Sequence, residues 1–391
     1  MKNKPATEKS AQPDLGIAEL RSAIDKIDTE LLALLNRRAA YSLEVGRIKS
    51  STGLPVLRPA RERALLDKLI ADNPGPLPEE HLLAIYSEIL SSSRALQRPM
   101  RVAFLGPEGT FSNIACLEYF GSGFIYVPKA HLADIFEAVE KADCALGIVP
   151  LENSVNGSVG QTLDLFAKSG VYVLAEWFSR IRLCLMSCES SLQDIRVVYS
   201  HAQPLGQCSA WLRSNLEHAK QVSLESTALS AQRVAGRGAA WEVNGESTGE
   251  AGSAVIGHAG LAERFGLNVL ATGIEDLSDN WTRFFVIGPK QDKKSDNDSG
   301  ANKSSIVFTI ANKPGSLQQV LNILSSRGIN MSKLESRPLH GELWNYIFFA
   351  DLDCDITAPE HVSALTQMNE YCLHIRVLGV YPEGRRIHAM R

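Results

Sequence analysis

The chain has 391 residues, of which 45% are hydrophobic and 21% charged. This length and composition predict a soluble globular protein of roughly two to four domains. The formal net charge of −4 excludes a global attraction to nucleic acid or to an anionic membrane, so anionic ligands require local Arg and Lys clusters. No apolar run approaches the roughly 20 residues that span a bilayer. Seven cysteines without a CxxC pair argue against a disulfide framework or a metal site and favour free thiols in the cytoplasm.

Residues 1–14 are polar and lack the apolar core of a signal peptide, so we expect a disordered tail. Residues 15–98 are predicted to form a helical domain. In its first part, apolar residues recur three and four positions apart and predict one long helix to about Lys49. The apolar positions are Ile17, Leu20, Ile24, Ile27, Leu31 and Leu34.

Three basic residues depart from a plain apolar helix face. Arg38 occupies an apolar position, where a charge is costly unless it is paired. Arg21 and Lys49 are 28 residues apart, which is about 42 Å along a straight helix. They serve one small ligand only if an antiparallel helix of a second chain brings one chain's Arg21 near the other's Lys49. The alternative is a helix covered by its own domain, with solvated basic residues.

Two further helices are predicted from about Pro59 to Ala71 and from Pro78 to Gln97. In the last helix, Ser93 and Gln97 continue an apolar face four residues apart, and polar groups on such a face need partners. The alternative is a fraying helix end before Pro99.

Residues 100–288 alternate short apolar runs with helical segments, which predicts an α/β domain with largely parallel strands. Three loops rich in small and polar residues join strands to helices, and we expect them to converge on one cleft. They are residues 106–112, 152–160 and 200–208. His201 beside Ser200 does not make a catalytic triad, and we interpret it as structural. Residues 236–252, rich in Gly, Glu and Ser, predict a surface loop.

The segment from Ser278 to Phe285 begins as a polar turn and continues into an apolar strand. It places the Thr282 hydroxyl and the Arg283 guanidinium where a loop enters a sheet, a common location for a ligand site. An ordinary strand start with a solvated Arg is the alternative.

Residues 289–303 are charged, polar and without periodicity, so they are predicted to be a linker. Residues 304–385 follow the order βαββαβ, which is the ferredoxin-like arrangement.

Several long motifs in order resemble one family. Asn280-x-Thr282-Arg283-Phe284 resembles the NxTRF motif of prephenate dehydratases, and the segments Gly147–Ser154 and Ser200–Cys208 resemble two more of its motifs. From about Leu15 the chain is similar to the bifunctional chorismate mutase–prephenate dehydratases of phenylalanine biosynthesis. This resemblance implies an all-α mutase domain, a two-lobed α/β dehydratase domain like type II periplasmic binding proteins, and an α+β ferredoxin-like ACT domain.

The resemblance also implies chemistry and site residues. Chorismate rearranges to prephenate, prephenate loses water and carbon dioxide to give phenylpyruvate, and L-phenylalanine inhibits through the ACT domain. No cofactor or metal is implied, and a homodimer or higher oligomer is expected. The implied chorismate residues are Arg21, Arg38, Lys49, Arg61, Glu62, Ser93 and Gln97, with Lys49 and Gln97 catalytic. The implied prephenate residues are Glu152, Asn153, Ser154, Ser200, Gln203, Gln207, Glu225, Thr227, Arg283 and the catalytic Thr282. The implied phenylalanine residues are Gly315, Ser316, Leu317, Glu335, Ser336, Arg337 and Pro338.

Several alternatives remain open. Arg283 is either an anion clamp or a structural ion pair. Arg58 replaces an acid of some relatives, which leaves Glu62 to hold the substrate hydroxyl, and Trp281 replaces a small or polar residue. Competing functions are a dehydratase whose helical domain only dimerises, and a solute-binding protein. The C-terminal domain is alternatively a plain dimerisation module.

Overall fold

The computed structural model describes residues 16–236, 242–243, 246–247, 250–290, 302–338, 346–384 and 386. The predicted tail (1–14), most of the predicted linker (289–303) and much of the predicted surface loop (236–252) lie outside these ranges. Within them, no helix combines the length and apolarity needed to cross a membrane. The described residues up to Val56, with Leu96–Arg98, form one compact unit, and Leu57–Ala95 with the chain from Pro99 form another.

Three helices make up the N-terminal region: α1 (Ile17–Thr52), α2 (Pro59–Ala71) and α3 (Glu79–Gln97). The long first helix is confirmed and ends at Gly53 in the left-handed conformation, whose N–H bonds to the Lys49 carbonyl. Gly46 is the one buried residue of α1. A Cβ at this position would lie 2.8 Å from the Cα of Gln97, so only glycine allows this approach.

The middle of α3 packs against the start of the central domain. The Gly123 N–H donates to Ser91 Oγ at 2.8 Å, and Ser122 Oγ donates to Glu88 Oε2 at 2.9 Å. A Cβ at Gly123 would lie 2.7 Å from the Ser91 carbonyl oxygen. The glycine therefore permits backbone-to-backbone contact between the helix and the central domain.

The central domain is an α/β structure of two lobes. Its first part comprises β1 (Arg101–Leu105), α4 (Phe111–Phe120), β2 (Ile125–Lys129), α5 (Leu132–Glu140), β3 (Leu146–Asn153), β4 (Gly157–Ser158), α6 (Gly160–Lys168) and β5 (Tyr172–Arg180). Its second part comprises β6 (Cys184–Ser187), β7 (Val197–Ser200), α7 (Ala202–Gln207), α8 (Ser209–Asn215), β8 (Lys220–Ser223), α9 (Thr227–Val234), β9 (Glu242–Val243), β10 (Glu246–Ser247), β11 (Ser253–Gly257), α10 (Gly260–Phe265), β12 (Asn268–Thr272) and β13 (Trp281–Gly288).

Each lobe is built on a mixed sheet. The first sheet has the order β2-β1-β3-β13-β5, with β4 beside β3, and the second has the order β12-β6-β11-β7-β8. Three neighbouring strands of each sheet are parallel, while β13 runs antiparallel to both β3 and β5, and β6 runs antiparallel to β11 and β12. The prediction of largely parallel strands was therefore correct only for β2-β1-β3 in the first sheet and β11-β7-β8 in the second. After the second lobe, the chain returns to the first sheet as β13. This strand lies between β3 and β5 and runs antiparallel to both.

The segment 200–208 also differs from the prediction of a loop. It folds as helix α7 and leads directly into α8. His201 Nδ1 accepts from the Gln203 N–H as a helix cap, and Pro204 lies in the first turn, where its missing N–H has no cost.

The predicted βαββαβ order of the C-terminal domain is confirmed. Its elements are β14 (Lys303–Ile310), α11 (Ser316–Ser325), β15 (Met331–Pro338), β16 (Tyr346–Leu352), α12 (Val362–Tyr371) and β17 (Cys372–Tyr381). The strands form one antiparallel sheet in the order β15-β16-β14-β17.

The helices α11 and α12 cover one face of this C-terminal sheet. The opposite face shares a hydrophobic core with the first sheet of the central domain, where Val307 and Phe349 pack with Val149 and Phe285. A Cβ at Gly379 would lie 2.0 Å from the Val173 carbonyl oxygen, so glycine is needed for β17 to approach β5. The C-terminal domain therefore covers the back of the first lobe.

Candidate active and effector sites

The strands β3 and β13 carry the central motifs as neighbouring pairs. Thr282 lies opposite Asn153, and Arg283 lies opposite Glu152. Successive residues of a strand point to opposite faces of the sheet. Thr282 and Asn153 therefore share one face, and Arg283 and Glu152 share the other.

The Asn153 amide is held in one orientation. Its Oδ1 accepts from the backbone N–H groups of Val155 at 3.1 Å and Asn156 at 3.0 Å. Since these groups only donate, the other amide atom is the NH₂ group. This Nδ2 lies 2.8 Å from Asn280 Oδ1, 3.0 Å from Thr282 Oγ1 and 3.1 Å from the Trp281 carbonyl oxygen. Its two protons are thus directed at the NxTRF segment.

Ser154 connects the same two strands beside this pair. Its N–H donates to the Trp281 carbonyl at 2.8 Å, and its Oγ accepts from the Trp281 N–H at 2.9 Å. The Trp281 indole, with 5% of the residue exposed, donates to Asp279 Oδ1 at 2.6 Å. The Ser154 hydroxyl and the Trp281 ring therefore stabilise the turn that leads to Thr282.

The second lobe carries the other prephenate candidates at the end of β7, in α7 and at the start of α9. Ser200 is fully buried, and its hydroxyl donates to the Ile256 carbonyl at 2.6 Å, so it holds β7 to β11. The Gln207 Nε2 is buried and has no hydrogen-bond partner among the described residues. Gln203 and Glu225 are exposed, and Thr227 is buried. Gln207 thus retains donor capacity that the described part of the chain does not use.

The loop 106–112 of the first lobe contacts the second lobe. Glu108 forms an ion pair with Arg264 of α10. Gly109 has φ +86°, and a Cβ there would lie 2.7 Å from Leu261 Cδ2. The two lobes therefore contact each other at this glycine, which lies in the loop that leads from β1 into α4.

Arg283 lies in a buried network on the opposite face. Its Nε and Nη2 atoms lie 2.7 Å and 2.5 Å from Glu176 Oε2, and its Nη1 lies 2.6 Å from Asp351 Oδ2 of β16. Burial lowers the pKa of the guanidinium, but Asp351, Tyr381 and Glu176 raise it to a value above the ordinary one. Of the two alternatives for Arg283, these contacts favour the structural ion pair.

Lys303 of β14 completes the charge balance of this network. Its Nζ lies 3.1 Å from both Glu176 oxygens. Glu176, Asp351, Arg283 and Lys303 thus place two negative and two positive charges in the interior. Sequence reasoning missed Glu176 and Asp351. The available signal was an acid within each apolar strand, since a buried carboxylate requires a partner.

Glu152 also turns toward the C-terminal domain. Its Oε2 lies 3.0 Å from Lys333 Nζ of β15. The same ammonium lies 2.8 Å from Ser158 Oγ and 3.4 Å from Glu335 Oε2. Glu152 and Arg283 therefore lie on the face away from Thr282, whereas Asn153 lies beside it.

The chorismate candidates lie on three helices: Arg21, Arg38 and Lys49 on α1, Arg61 and Glu62 on α2, and Ser93 and Gln97 on α3. Lys49 Nζ donates to the Val56 carbonyl at 3.0 Å. The Oε1 of Gln97 is buried and has no hydrogen-bond partner within the described residues. Ser93 Oγ donates to the Ile89 carbonyl at 2.8 Å.

Glu62 has a partner that sequence reasoning missed. Its Oε2 lies 2.6 Å from Arg94 Nη1, and Arg94 Nη2 donates to the Phe120 carbonyl at 2.9 Å. Arg94 is 4% exposed. Glu62 is therefore engaged by a cation that also contacts the central domain. The signal in the sequence was a basic residue next to the inward-facing Ser93.

The C-terminal domain has an open pocket of about 350 Å³ at the start of α11. Its lining residues are Ile310, Ala311, Asn312, Lys313, Gly315, Leu317, Gln318, Tyr346 and Phe348. Gly315 has φ +85°, a conformation that favours glycine. Gly315 and Leu317 of the candidate effector segment thus line a pocket, and Ser316 begins the helix beside it.

Comparison with known proteins matches each region separately. Residues 20–98 match chorismate mutase type II, residues 102–292 match prephenate dehydratase, and residues 304–370 match the ACT domain. Two of the solved structures that resemble this protein each align with 72% of the chain. One is a quorum quenching acylase named GqqA, with 27% identity, a TM-score of 0.63 and 98% of that chain covered. The other is a prephenate dehydratase from Arthrobacter aurescens in complex with L-Phe, with 30% identity, a TM-score of 0.64 and 90% of that chain covered.

The chain is also similar in full length to a curated relative. It is 38% identical over 372 residues to the bifunctional chorismate mutase/prephenate dehydratase of Aquifex aeolicus, which covers 94% of this chain and 98% of the relative. The three regional matches follow one another along the chain, from chorismate mutase type II through prephenate dehydratase to the ACT domain. The chain therefore belongs to the bifunctional chorismate mutase/prephenate dehydratases.

Proposed function

We propose that Thr282 is the donor to the leaving hydroxyl in the dehydratase reaction. Prephenate and one proton give phenylpyruvate, water and carbon dioxide, and aromatisation of the ring drives the reaction. A threonine is a weak acid, so proton transfer accompanies C–O cleavage late in the reaction. The observation that supports this role is the 3.0 Å contact of Asn153 Nδ2 with Thr282 Oγ1. When Asn153 donates to this oxygen, the threonine proton is available to the substrate.

The remaining dehydratase residues orient the substrate rather than react with it. Gln207 is the strongest candidate, since its buried Nε2 has no protein partner in the part of the chain that the structure describes. Ser154 and Ser200 act indirectly, because their hydroxyls hold the backbone that carries the site. Gln203, Glu225 and Thr227 complete the second lobe's contribution. Holding prephenate in one geometry favours cleavage because little reorganisation remains.

The mutase reaction needs no nucleophile, because chorismate rearranges within one molecule. Arg21, Arg38 and Arg61 hold its carboxylates. Lys49 and Gln97 donate to the ether oxygen, where negative charge grows in the transition state. Ser93 and Glu62 are the remaining residues of the proposed chorismate site.

A homodimer supplies this mutase site. Along α1 the apolar side chains are exposed, for example Ile17 at 71% and Ile27 at 62%. A second copy of the helix covers such a face and places the partner subunit's Arg21 near Lys49.

All seven cysteines are free thiols, which suits a reducing cytoplasm.

L-Phenylalanine, the product of the next transamination, is the feedback inhibitor. The pocket lined by Gly315 and Leu317 supports this assignment. So does the related Arthrobacter aurescens dehydratase, which was solved with L-Phe. The segment Glu335–Pro338 follows on β15, which pairs with the strand that carries Tyr346 and Phe348 of the pocket.

The similarity to an acylase suggests a second activity, but no observation favours it. The Ser200 hydroxyl donates to a backbone carbonyl, and His201 Nδ1 lies 3.3 Å from the N–H of Gln203. Neither group is arranged as a nucleophile with its base.

The test is incubation of the pure chain with chorismate, with and without L-phenylalanine. We expect prephenate and then phenylpyruvate, and we expect the effector to slow the second step. L-Phenylalanine binding is measured in parallel by calorimetry. Formation of phenylpyruvate that is insensitive to saturating L-phenylalanine would remove the regulatory part of the proposal.

A further inference from the structure

The strand β15 has two chemically distinct faces. Its residues alternate between half-buried and exposed from Met331 to Pro338. Lys333, Glu335 and Arg337 form the half-buried side, which we call the charged face. Ser332, Leu334, Ser336 and Pro338 form the exposed side, which we call the outer face. The segment Glu335–Pro338 is thus divided between two environments.

The outer face belongs to the side of the sheet that carries the effector pocket. Ser336 pairs with Phe348, and Pro338 pairs with Tyr346. Paired residues of antiparallel strands share a face. Phe348 and Tyr346 line the pocket that contains Gly315. Ser336 and Pro338 are therefore the members of the segment that lie on the pocket's side.

The charged face contacts the dehydratase domain. Arg337 makes a two-point contact with Asp164 of α6, with Nη2 2.9 Å from Oδ2 and Nε 3.2 Å from Oδ1. A Cβ at Gly160, the first residue of α6, would lie 2.5 Å from Arg337 Nη1, so glycine leaves space for the guanidinium. Lys333 contacts Glu152 of β3 and Ser158 of β4, and it also contacts Glu335.

Glu152 and Asp164, the dehydratase residues in the two contacts, are each connected to Thr282 through only a few residues. Glu152 directly precedes Asn153, whose Nδ2 lies 3.0 Å from Thr282 Oγ1. Asp164 lies on α6, and Thr162 of the same helix donates to the Pro150 carbonyl of β3 at 2.7 Å. A shift of β15 against the dehydratase domain therefore acts on the strand that carries Asn153.

We propose that β15 transmits the effector signal, with the outer face sensing the occupied pocket and the charged face moving β3 and α6. The inference rests on the proposed inhibition by L-phenylalanine. Glu335 and Arg337 then act as coupling residues rather than effector ligands. The effector shifts the enzyme only to the extent that it binds one position of β15 better than the other.

The test breaks the Arg337 contact from the dehydratase side. Asp164→Asn removes the carboxylate charge and leaves every residue of the ACT domain unchanged. A second variant, Lys333→Met, removes the other contact, and Lys333→Arg keeps its charge. The matched control is Lys168→Met, which removes an exposed charge from the end of α6. For each full-length protein, calorimetry gives the Kd of L-phenylalanine, and kinetics give the factor by which saturating effector lowers dehydratase kcat/KM.

In the wild-type enzyme and in Lys168→Met, we expect an inhibition factor in the usual allosteric range of about 5- to 150-fold. In Asp164→Asn and Lys333→Met, we expect this factor to fall at least about fivefold, while L-phenylalanine still binds. Lys333→Arg, which keeps the positive charge, should retain part of the inhibition factor that is lost in Lys333→Met.

Two outcomes would overturn the inference. One is wild-type inhibition in both variants, which would show that the charged face does not transmit. The other is loss of L-phenylalanine binding in Asp164→Asn, which would show that the two faces are not separable. Failure of the proposed regulation is a different result, because then the wild-type enzyme itself would not bind or respond to L-phenylalanine.

Discussion

The Nδ2 atom of Asn153 lies 3.0 Å from the Oγ1 atom of Thr282, and the opposite end of the same amide accepts two backbone N–H groups. The orientation of the Asn153 amide is therefore fixed, because the two backbone N–H groups can only donate and must face its oxygen. The Thr282 oxygen accepts a hydrogen bond from the Asn153 amide, so the Thr282 proton is not used in this contact. This arrangement supports the proposed role of Thr282 as the donor to the leaving hydroxyl.

The first prediction concerns this amide. Asn153→Asp keeps the acceptor for the turn but replaces the NH₂ group with a second carboxylate oxygen. Thr282 would then donate to the introduced carboxylate instead of to prephenate. We expect dehydratase kcat to fall about 10²-fold, in the range seen when one transition-state donor is lost. Mutase activity of the same chain is the internal control, and an unchanged dehydratase kcat would contradict the role of Asn153.

The second prediction removes the Thr282 hydroxyl itself. Thr282→Val retains the shape of the side chain and its β-branched preference for a strand. Since the bond to the leaving group strengthens in the transition state, kcat should fall by about 10²- to 10⁴-fold with a modest change in KM. Steady-state kinetics on added prephenate measure both constants. A near-normal kcat would remove Thr282 from the donor role.

Much of this architecture follows from local sequence patterns. The apolar spacing from Ile17 predicts α1, and the element order from Lys303 to Tyr381 predicts the ferredoxin-like sheet, because both depend on neighbouring residues. The position of β13 between β3 and β5 does not follow in this way. It depends on pairing with β3 and β5, which are far from β13 in the sequence, and no local pattern specifies such a pairing.

The side chains around Arg283 show the same limit. Its partners Glu176 and Asp351 are 107 and 68 residues away in sequence. Strand alternation separates Arg283 from Thr282, but it does not reveal that another domain covers the back of the sheet. For that reason the sequence left the clamp and the structural ion pair equally open, whereas the buried contacts favour the ion pair.

The third prediction tests the charge balance of that network. Asp351→Ala leaves Arg283 and Lys303 with the single acid Glu176 in the interior. Breaking a buried pair by removing one partner typically costs about 3–5 kcal/mol. We expect a lower Tm by calorimetry, whereas Glu370→Ala, an exposed acid of the same domain, should leave it unchanged.

A double variant distinguishes charge imbalance from lost packing. Arg283→Met together with Asp351→Ala removes one positive and one negative charge and leaves the Glu176–Lys303 pair. We expect it to recover part of the Tm lost in Asp351→Ala, since contacting residues are not additive. A further decrease of the same size as the first would mean that the network is not governed by its net charge.

The last prediction concerns the shared mutase site. Arg21 and Lys49 lie near opposite ends of the continuous helix α1, about 42 Å apart along its axis, so one chorismate cannot contact both in the same subunit. Arg21→Ala and Lys49→Ala should each abolish mutase activity, and each should retain dehydratase turnover on added prephenate. Mixing the two variants should restore mutase activity, because half of the sites in a mixed dimer combine an intact Arg21 from one chain with an intact Lys49 from the other. Subunit exchange is verified with differently tagged chains isolated through both tags. Isolated mixed dimers without mutase activity would show that each site is built from one chain.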